Sequence, residues 1–262
     1  MALAIPKIVM QTWKNHTIPQ KWQSSPLSLQ QYMPDWQYIL MTDEDNRKFV
    51  QHYFPDFLPF FDKFPYPIQR ADAIRPMFLY IHGGIYMDMD FEVQQSLAPL
   101  FTLPNKFTNP LSNNDLFFVA SGNMGSWITN SFMASKPRHP FWLYYIERMK
   151  RPPPFWAINK HFKIMTTTGP MALTWALRDF KTQYTSLPKH LIMPCSVCNI
   201  DRCDTSQALL KPLEGQSWNS LDSKILNYIL CNWKTILFLL FLLIILFLII
   251  IFFIYKRSRK PK

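Results

Sequence analysis

Acidic side chains stand at alternate positions in the segment HGGIYMDMDFEV, residues 82–93. Read as one strand, the segment places Tyr86, Asp88, Asp90 and Glu92 on one face and apolar residues on the other. Aspartate is a poor strand former, and like charges two residues apart on a strand lie only about 6–7 Å from each other. Such a cluster is typical of a solvated face, an acid–base pair or a cation site. Mg²⁺ and Mn²⁺ gather hard oxygen ligands of this kind and also bridge phosphate oxygens.

A second charged group lies just upstream, in the segment RADAIR. Asp72 and Arg75 are three residues apart, so a helix would place both on one face, either as a surface ion pair or as part of a site. Arg70 adds a second guanidinium. With the Gly83-Gly84 turn and the two aspartates that follow, this spacing favours a site for a sugar attached to a diphosphate.

The elements that must position these residues alternate between strand and helix. A kink or a late start is expected in the helix around Pro76, because proline removes a backbone donor and crowds the carbonyl four residues back. The alternation favours an α/β sandwich around a mainly parallel sheet. Strands are predicted at residues 7–11, 36–41, 82–93, 116–121 and 164–168, and helices from Thr42 or Asp43 onward and over residues 68–82, 137–150 and 170–180.

Four segments, IPKIVMQTWK, QRADAIRPMFLYIHGGIYMDMD, TTGP and EGQSW, resemble a known family of D-x-D glycosyltransferases. The family includes the yeast initiating α-1,6-mannosyltransferase and the inositol phosphorylceramide mannosyltransferases, and its donor core is shared with the large clostridial glucosylating toxins. The resemblance covers roughly residues 5–218. It implies a Rossmann-like glycosyltransferase-A fold, a nucleotide-sugar donor, a divalent metal (Mn²⁺ or Mg²⁺) and retention of the anomeric configuration.

The resemblance also implies roles for individual residues. Trp13 resembles the aromatic residue that stacks on the nucleotide base. Asp72 and Arg75 resemble the residues that hold the donor sugar. Asp88 is similar to the acid shared between ribose, sugar and metal, and Asp90 to the direct metal ligand. Asp72, Asp88 and Asp90 are therefore the predicted catalytic residues.

Further donor-site residues are predicted around these. Tyr86 would line the pocket, and Arg70 would contribute its charge to donor binding. Ser217 and Trp218 match a late Ser-Trp pair expected near the diphosphate, and Glu214 is a candidate third metal ligand. The histidine often found shortly before this pair is absent, so the metal role of the C-terminal loop stays open.

The segment TILFLLFLLIILFLIIIFFIY, residues 235–255, has no charge, proline or glycine. As a helix it would be about 30 Å long, which matches the core of a bilayer. We therefore expect a single-pass membrane anchor. The predicted organisation is a catalytic domain at residues 1–222, a juxtamembrane linker at 223–234, a transmembrane helix at 235–255 and a basic tail at 256–262.

The side of the membrane that holds the catalytic domain stays open at this point. The basic tail favours a cytosolic C-terminus and a lumenal domain, in the Golgi or ER if the source is eukaryotic. The N-terminus lacks the pattern of a secretory signal peptide, which favours a tail-anchored protein instead. Asn15-His16-Thr17 is a glycosylation sequon that matters only for a lumenal domain.

Cysteine and charge content constrain the possible partners. Cys195, Cys198 and Cys203 have a spacing that permits a zinc site or a disulfide, and Cys231 precedes the predicted anchor. The formal net charge is +11, but five of the positive charges lie in the last seven residues. No Lys/Arg run or nucleic-acid module occurs elsewhere in the sequence, so no nucleic-acid partner is expected.

The predicted function is metal-dependent transfer of a hexose, with mannose favoured, from GDP-mannose or a UDP-hexose to a membrane-associated acceptor such as a sphingolipid head group. A glycoprotein or polysaccharide acceptor is the first alternative, and an inactive membrane adaptor with a transferase-like domain is the second. A dehalogenase-type phosphotransferase is disfavoured, because Glu92 stands where its motif has Thr or Val. Two acids on one strand face also cannot easily flank a sugar as in a glycosidase.

Overall fold

The computed structural model describes residues 4–102, 115–121, 127–196, 198–199, 203–215, 218 and 220–258. The chain divides into two compact units, Met1–Trp218 and Asn219–Lys262. The domain boundaries drawn from the sequence at residues 222, 234 and 255 stay predictions.

The first unit is built on a mixed sheet of six strands in the order β2-β1-β3-β6-β5-β7. Three of its five strand pairs are parallel (β1 with β2, β1 with β3, and β5 with β7), and β6 runs antiparallel to both its neighbours. A second, two-stranded sheet joins β4 and β8. In chain order the strands are β1 (Ile8–Thr12), β2 (Gln37–Met41), β3 (Gly84–Met87), β4 (Phe91–Val93), β5 (Leu116–Ser121), β6 (Trp127–Ser135), β7 (Thr185–Ser186) and β8 (Leu210–Pro212).

Helices cover both faces of the large sheet and bury one apolar cluster on each. Met10, Tyr86 and Met133 face one cluster, whereas Val9, Ile85 and Phe132 face the other, which is the period-two alternation of strands. The α-helices are α1 (Ser24–Tyr32), α2 (Asp43–Tyr53), α3 (Leu58–Lys63), α4 (Pro67–His82), α5 (Pro140–Arg148), α6 (Lys160–Thr167), α7 (Pro170–Phe180), α8 (Lys189–Ile192) and α9 (Leu221–Ser258). The predicted α/β class is confirmed.

The segment 82–93 is not the single strand that its alternation predicts. β3 ends at Met87, the residues Asp88 to Asp90 form a turn, and β4 begins at Phe91 in the other sheet. Because of this turn, neither Asp88 nor Asp90 has the backbone geometry of a strand. Glu92 pairs with Lys211 across β4 and β8 and accepts a hydrogen bond from Gln94 at 2.8 Å, which places it outside the aspartate turn.

The predicted glycine turn before β3 is required by close packing. Gly83 and Gly84 have φ angles of 67° and 86°, which favour glycine. A β-carbon on Gly84 would overlap the backbone oxygen of Ile8 in β1. Only glycine therefore lets β3 pair so closely with β1.

Two secondary-structure predictions need correction, one on the start of a helix and one on a strand. α4 begins at Pro67 and continues through Pro76, so the late start predicted from Pro76 is wrong; Pro67 at the first helical position has the φ that a helix start needs. The predicted strand at residues 164–168 is largely helix α6. Asn159 caps α6 by accepting from the backbone N–H of Phe162 at 2.9 Å, and Thr167 donates to the backbone oxygen of Lys163 four residues back.

The cap of α2 follows the prediction closely. Thr42 accepts from the backbone N–H of Asp45 at 3.1 Å, and Asp45 accepts from that of Thr42 at 3.0 Å. This reciprocal pair satisfies two donors that a helix N-terminus otherwise leaves unpaired.

Helix α9 and a disulfide complete the described chain. α9 is one helix of 38 residues, and its stretch Leu221–Phe252 is long and apolar enough to cross a membrane. A C-terminal apolar helix after the α/β domain is thus confirmed, and it includes the residues predicted as a linker. Cys195 and Cys203 form a disulfide, so of the two alternatives left open, the zinc site does not apply to these two cysteines.

Candidate functional site

The site lies at the carboxyl ends of β1 and β3, which are parallel neighbours in the sheet. The chain turns to β2 on one side of β1 and to β3 on the other, and such switch points leave a crevice that binds ligands in α/β proteins. The backbone of Asp88 is fixed there from two strands. Its N–H donates to the backbone oxygen of Ser131 in β6 at 2.8 Å, and its carbonyl accepts from Gln11 Nε2 in β1 at 3.2 Å.

Arg75 of α4 bridges two of the predicted catalytic acids. Its Nη2 atom lies 3.2 Å from Asp72 Oδ1 and 3.2 Å from Asp88 Oδ1. The Tyr86 hydroxyl donates to Asp88 Oδ1, and the guanidinium lies 4.7 Å from the centre of the Tyr86 ring. Arg75 therefore brings the helix face predicted from RADAIR together with Asp88, which follows the end of β3.

Asp72 is also held by two residues that have no assigned role in the sequence analysis. Asn130 Nδ2 donates to Asp72 Oδ1 at 3.0 Å, and the Thr168 hydroxyl donates to Oδ2 at 2.9 Å. Thr168 belongs to the TTGP segment quoted for the resemblance, so a signal for it existed. Asn130 lies inside strand β6, and its sequence neighbours give no such signal.

Burial shifts the acids toward protonation. It raises the pKa of Asp72 to about 6 despite Arg75, and it raises the pKa of Asp88 as well. The pKa of Asp90 rises to about 7 because the residue is buried and Asp88 repels its charge. Burial alone would lower the pKa of Arg75, but Asp88, Tyr86 and Asp72 raise it above its ordinary value, so the guanidinium stays charged. One buried cation therefore contacts two of the three carboxyl groups, those of Asp72 and Asp88.

A C-terminal segment covers Asp90. The backbone N–H of Leu213 donates to the carbonyl of Asp90 at 2.7 Å. A β-carbon built on Gly215 would overlap Oδ2 of Asp90, so the backbone of this segment lies directly against the carboxylate. Gly215 was not singled out from the sequence, because its requirement arises from a contact between distant parts of the chain.

The acids fit the small ligand set that Mg²⁺ or Mn²⁺ uses on a phosphate substrate. Within the described residues, no group of three or more His, Cys, Asp or Glu side chains is placed to hold a metal ion. Mg²⁺, however, is usually held by one or two carboxylates together with substrate phosphates and water. Asp88 and Asp90 are a pair of this kind, and the raised pKa of Asp90 marks a place where a cation would relieve repulsion.

Trp13 and Arg70 make their contacts with residues other than the three acids. Trp13 is half-buried at the end of β1, and its ring packs edge-on against Trp22 with centroids 4.8 Å apart. Arg70 donates to the backbone oxygen of Phe64 at 2.9 Å. No hydrogen bond or ion pair to Asp72, Asp88 or Asp90 is found for Arg70 within the described chain. A donor role for either residue stays a prediction.

Glu214 and Trp218, two of the three predicted C-terminal site residues, differ in their surroundings. The Glu214 side chain is 84% exposed and lies 3.6 Å from Lys21, while its backbone oxygen accepts from Trp22 Nε1 at 2.7 Å. The Trp218 ring stacks on His161 with centroids 5.6 Å apart. Ser217 lies outside the described residues. The metal role of Glu214 and the diphosphate roles of Ser217 and Trp218 remain predictions.

Comparison with known proteins shows what this chain is similar to. Residues 19–116 match the model described as the glycosyltransferase sugar-binding region containing the DXD motif. The chain is 33% identical over 91% of its length to inositol phosphoceramide mannosyltransferase 3 of Schizosaccharomyces pombe, covering 63% of that protein. It is 32% identical over 85% of its length to mannosyl phosphorylinositol ceramide synthase SUR1 of Saccharomyces cerevisiae, covering 54% of it. The chain thus spans less than two thirds of these relatives.

Among solved structures, the PaToxG glycosyltransferase superposes with a TM-score of 0.47 at 17% identity, covering 67% of this chain and 70% of that one. The matched region 19–116 includes the buried pair Asp72 and Arg75 and the half-buried acids Asp88 and Asp90. Residues 19–116 of this chain are thus similar to the sugar-binding region that contains the DXD motif in glycosyltransferases.

Proposed function

We propose that the protein is a metal-dependent, retaining hexosyltransferase that moves a hexose, with mannose favoured, from a nucleotide sugar to a lipid-linked acceptor at a membrane. The donor is GDP-mannose or a UDP-hexose. The favoured acceptor is a sphingolipid head group that carries inositol phosphate, since the names of the matched relatives specify inositol phosphoceramide.

One observation carries the proposal. Arg75 joins Asp72 and Asp88 in one buried group, and Asp90 stands at the adjoining turn with a pKa raised to about 7. A solvated acidic face would leave the carboxylates exposed with ordinary pKa values. Acids that are buried (Asp72) or half-buried (Asp88 and Asp90) near a single buried guanidinium are typical of a site that binds a charged ligand together with a cation.

The residues have distinct tasks in the proposed reaction. Asp72 accepts hydrogen bonds from sugar hydroxyls, while Arg75 fixes the orientation of its carboxylate and that of Asp88. Asp88 and Asp90 would hold a Mn²⁺ or Mg²⁺ ion, and this ion would neutralise negative charge on the departing diphosphate. Trp13 stacks on the nucleotide base and so aligns the donor with the two acids.

Bond changes follow from this arrangement. The oxygen of the acceptor hydroxyl forms a bond to the anomeric carbon as the bond between that carbon and the diphosphate oxygen breaks. The hydroxyl proton passes to the diphosphate, and attack on the face that the diphosphate leaves retains the configuration. Among the described residues we assign no protein nucleophile to the reaction.

The membrane setting is part of the proposal. We infer that α9 anchors the protein as a single span and that the catalytic unit lies in the lumen of the Golgi or ER. The disulfide between Cys195 and Cys203 supports a lumenal location, because disulfides persist in oxidising compartments and are rare in the cytosol.

Incubation of the full chain in lipid nanodiscs with a panel of nucleotide sugars, Mn²⁺ and inositol phosphoceramide tests the proposal. We expect release of free nucleotide with one donor, an increase on adding the lipid, and loss of both with a chelator. Asp90→Asn is the matched inactive control. Metal-dependent nucleotide binding without release under any condition would favour the adaptor alternative, and transfer to glycans but not lipid would favour the glycan alternative.

A further inference from the structure

A short apolar loop projects from the first unit between α5 and α6. In the sequence RPPPFWAI, residues 151–158, the side chains of Phe155 and Ile158 are 96% and 80% exposed. They are the most exposed large apolar side chains among the described residues of this unit. Isolated exposed apolar residues are common on soluble surfaces, but two at one loop tip indicate a surface that something covers.

The loop is held in place rather than left to collapse onto the core. Its three consecutive prolines restrict the backbone φ angles. The Ala157 N–H donates to the backbone oxygen of Pro154 at 2.9 Å. The Trp156 ring packs edge-on against Phe162 and Trp175, with centroids 5.8 and 6.4 Å apart. Trp156 thus anchors the loop on the unit, and the neighbouring apolar tip is presented with little conformational entropy left to lose.

The chain around the loop is basic. Residues 148–163 contain five Lys or Arg and no Asp or Glu, but Arg148 pairs with Asp179 and Lys150 with Glu147. The positive charge offered to a surface therefore comes from Arg151, Lys160 and Lys163. Arg151 is exposed at the start of the loop, and Lys163 is half-exposed one turn into α6. Apolar and aromatic side chains with a basic rim are complementary to a bilayer surface, where the rings enter the interface and the cations meet anionic head groups.

The loop is also close to the point where the chain leaves the first unit. Lys160 Nζ donates to the backbone oxygen of Trp218 at 3.1 Å, and the neighbouring His161 ring stacks on the Trp218 ring. Trp218 is the last residue of the unit, and α9 begins at Leu221. A bilayer that holds α9 would be available to the loop at high effective concentration.

We propose that residues 151–158 dock the catalytic unit on the bilayer surface, with Phe155 and Ile158 in the interface and Arg151 among anionic head groups. This inference rests on the proposed membrane attachment through α9. Docking would keep the catalytic unit against the lipid surface, which is where a lipid-linked acceptor presents its hydroxyls.

Amide hydrogen exchange of the full chain tests the docking. The chain is placed in nanodiscs of phosphatidylcholine, in discs that also contain phosphatidylserine, and in an amphipathic polymer without lipid. We expect exchange at residues 155–159 to be several-fold slower in discs than in the polymer, and slowest with phosphatidylserine. The double substitution Phe155→Ser and Ile158→Ser should abolish the difference.

Two controls separate the possible failures. Leu27→Ser, at a side chain that is 61% exposed in another part of the unit, should leave the protection of the loop unchanged. Alkaline extraction reports the attachment independently: a chain that is extracted contradicts anchoring by α9. A chain that stays in the membrane but whose loop exchanges equally in discs and polymer overturns the docking. Protection that requires two copies per disc, whatever the lipid, also overturns it and assigns the loop to self-association.

Discussion

At the scale of residues, the site holds more negative charge than the fold alone can stabilise. Asp72 and Asp88 share Arg75, whereas Asp90 has only weaker favourable contributions, and Asp88 adds repulsion. Functional acids of this kind lower the stability of the free protein and gain their favourable partner with the ligand. Activity and stability should therefore respond in opposite directions to a neutral substitution.

Asp90→Asn is the first prediction. We expect turnover to fall by about 100-fold or more, because one of the two carboxylates that would hold the charge-neutralising metal ion is lost. In the presence of a chelator, we expect the melting temperature to rise by about 2 °C or more, because a buried, repelled charge is replaced by a neutral amide of similar shape. A variant that keeps full turnover would contradict the assignment of Asp90.

The pH dependence of stability is the second prediction. The folded pKa of Asp90 is raised from 3.8 to about 7, so its contribution to stability is complete below 3.8 and is lost as the pH rises through about 7. Without metal, the wild type should therefore lose stability relative to Asp90→Asn between about pH 5 and about pH 8. Thermal unfolding of both proteins across this range measures the difference, and a constant difference would refute the raised pKa. Comparing the pair removes the opposite trend expected from His82 and His139, whose pKa values are lowered by burial.

Thr168→Val is the third prediction. Its hydroxyl donates to Asp72 Oδ2, and hydrogen bonds to charged groups contribute about 1.5–3 kcal/mol. We expect a loss of that order in the free energy of unfolding at about pH 8, and a higher KM for the donor, because the Asp72 carboxylate loses its orientation. Thr168→Ser keeps the hydroxyl and is the matched control. Equal stability of the two variants would show that the hydrogen bond does not hold the charged carboxylate.

At the scale of elements, the D-x-D motif depends on a strand that ends early. The alternation in residues 82–93 correctly predicts that Ile85, Phe91 and Val93 share one face, since all three lie in one cluster. Tyr86 on the opposite face of β3 is equally buried, because helices cover both faces of the sheet. The alternation does not reveal that the chain changes sheets between β3 and β4. The alternation indicates which side chains share a face of a strand. The break between β3 and β4 depends instead on the pairing of β4 with β8, which lies more than 100 residues later in the sequence.

Gly215→Ala is the fourth prediction. The added β-carbon would overlap the end of the Asp90 side chain, so the carboxylate must rotate away while the surrounding fold is retained. We expect turnover to fall by about 100-fold, as displacements of about 1 Å can produce, with little change in melting temperature. Lys211→Ala, at an exposed residue of the neighbouring strand β8, is the control and should retain turnover. Unchanged activity of Gly215→Ala would mean that this segment moves away from Asp90 in the working enzyme.

At the scale of the whole molecule, the proposed lumenal location of the catalytic unit leads to a prediction for the sequon at Asn15. The Cys195–Cys203 disulfide favours the lumen, because disulfides persist in oxidising compartments. A lumenal unit would expose Asn15 to the glycosylation machinery. Asn15 is exposed, and its Oδ1 accepts from the backbone N–H of Thr17 at 2.9 Å, in a loop open to solvent.

Glycosylation of Asn15 is the fifth prediction. Expressed in eukaryotic cells, the full chain should show an electrophoretic shift that endoglycosidase treatment removes. Asn15→Gln and Thr17→Ala should abolish the shift, and Thr17→Ser should keep it because serine also completes the sequon. A chain that is inserted in the membrane but never modified would argue for a cytosolic catalytic unit.

The sequence by itself determined the features that depend only on residues close together in the chain. The apolar run that forms α9 needs only its composition, the cap of α2 needs four residues, and the Asp72–Arg75 pair needs one helical turn. Tertiary structure decided what depends on distant contacts. It brought Asn130 and Thr168 into hydrogen-bond contact with Asp72, and it placed the backbone at Gly215 against Asp90. It also ended β3 before the two aspartates and brought Cys195 and Cys203 together in a disulfide. The physical reason is that short-range patterns fix periodicity and charge spacing, whereas burial and the shifted pKa values of the acids arise only when separate elements close around them.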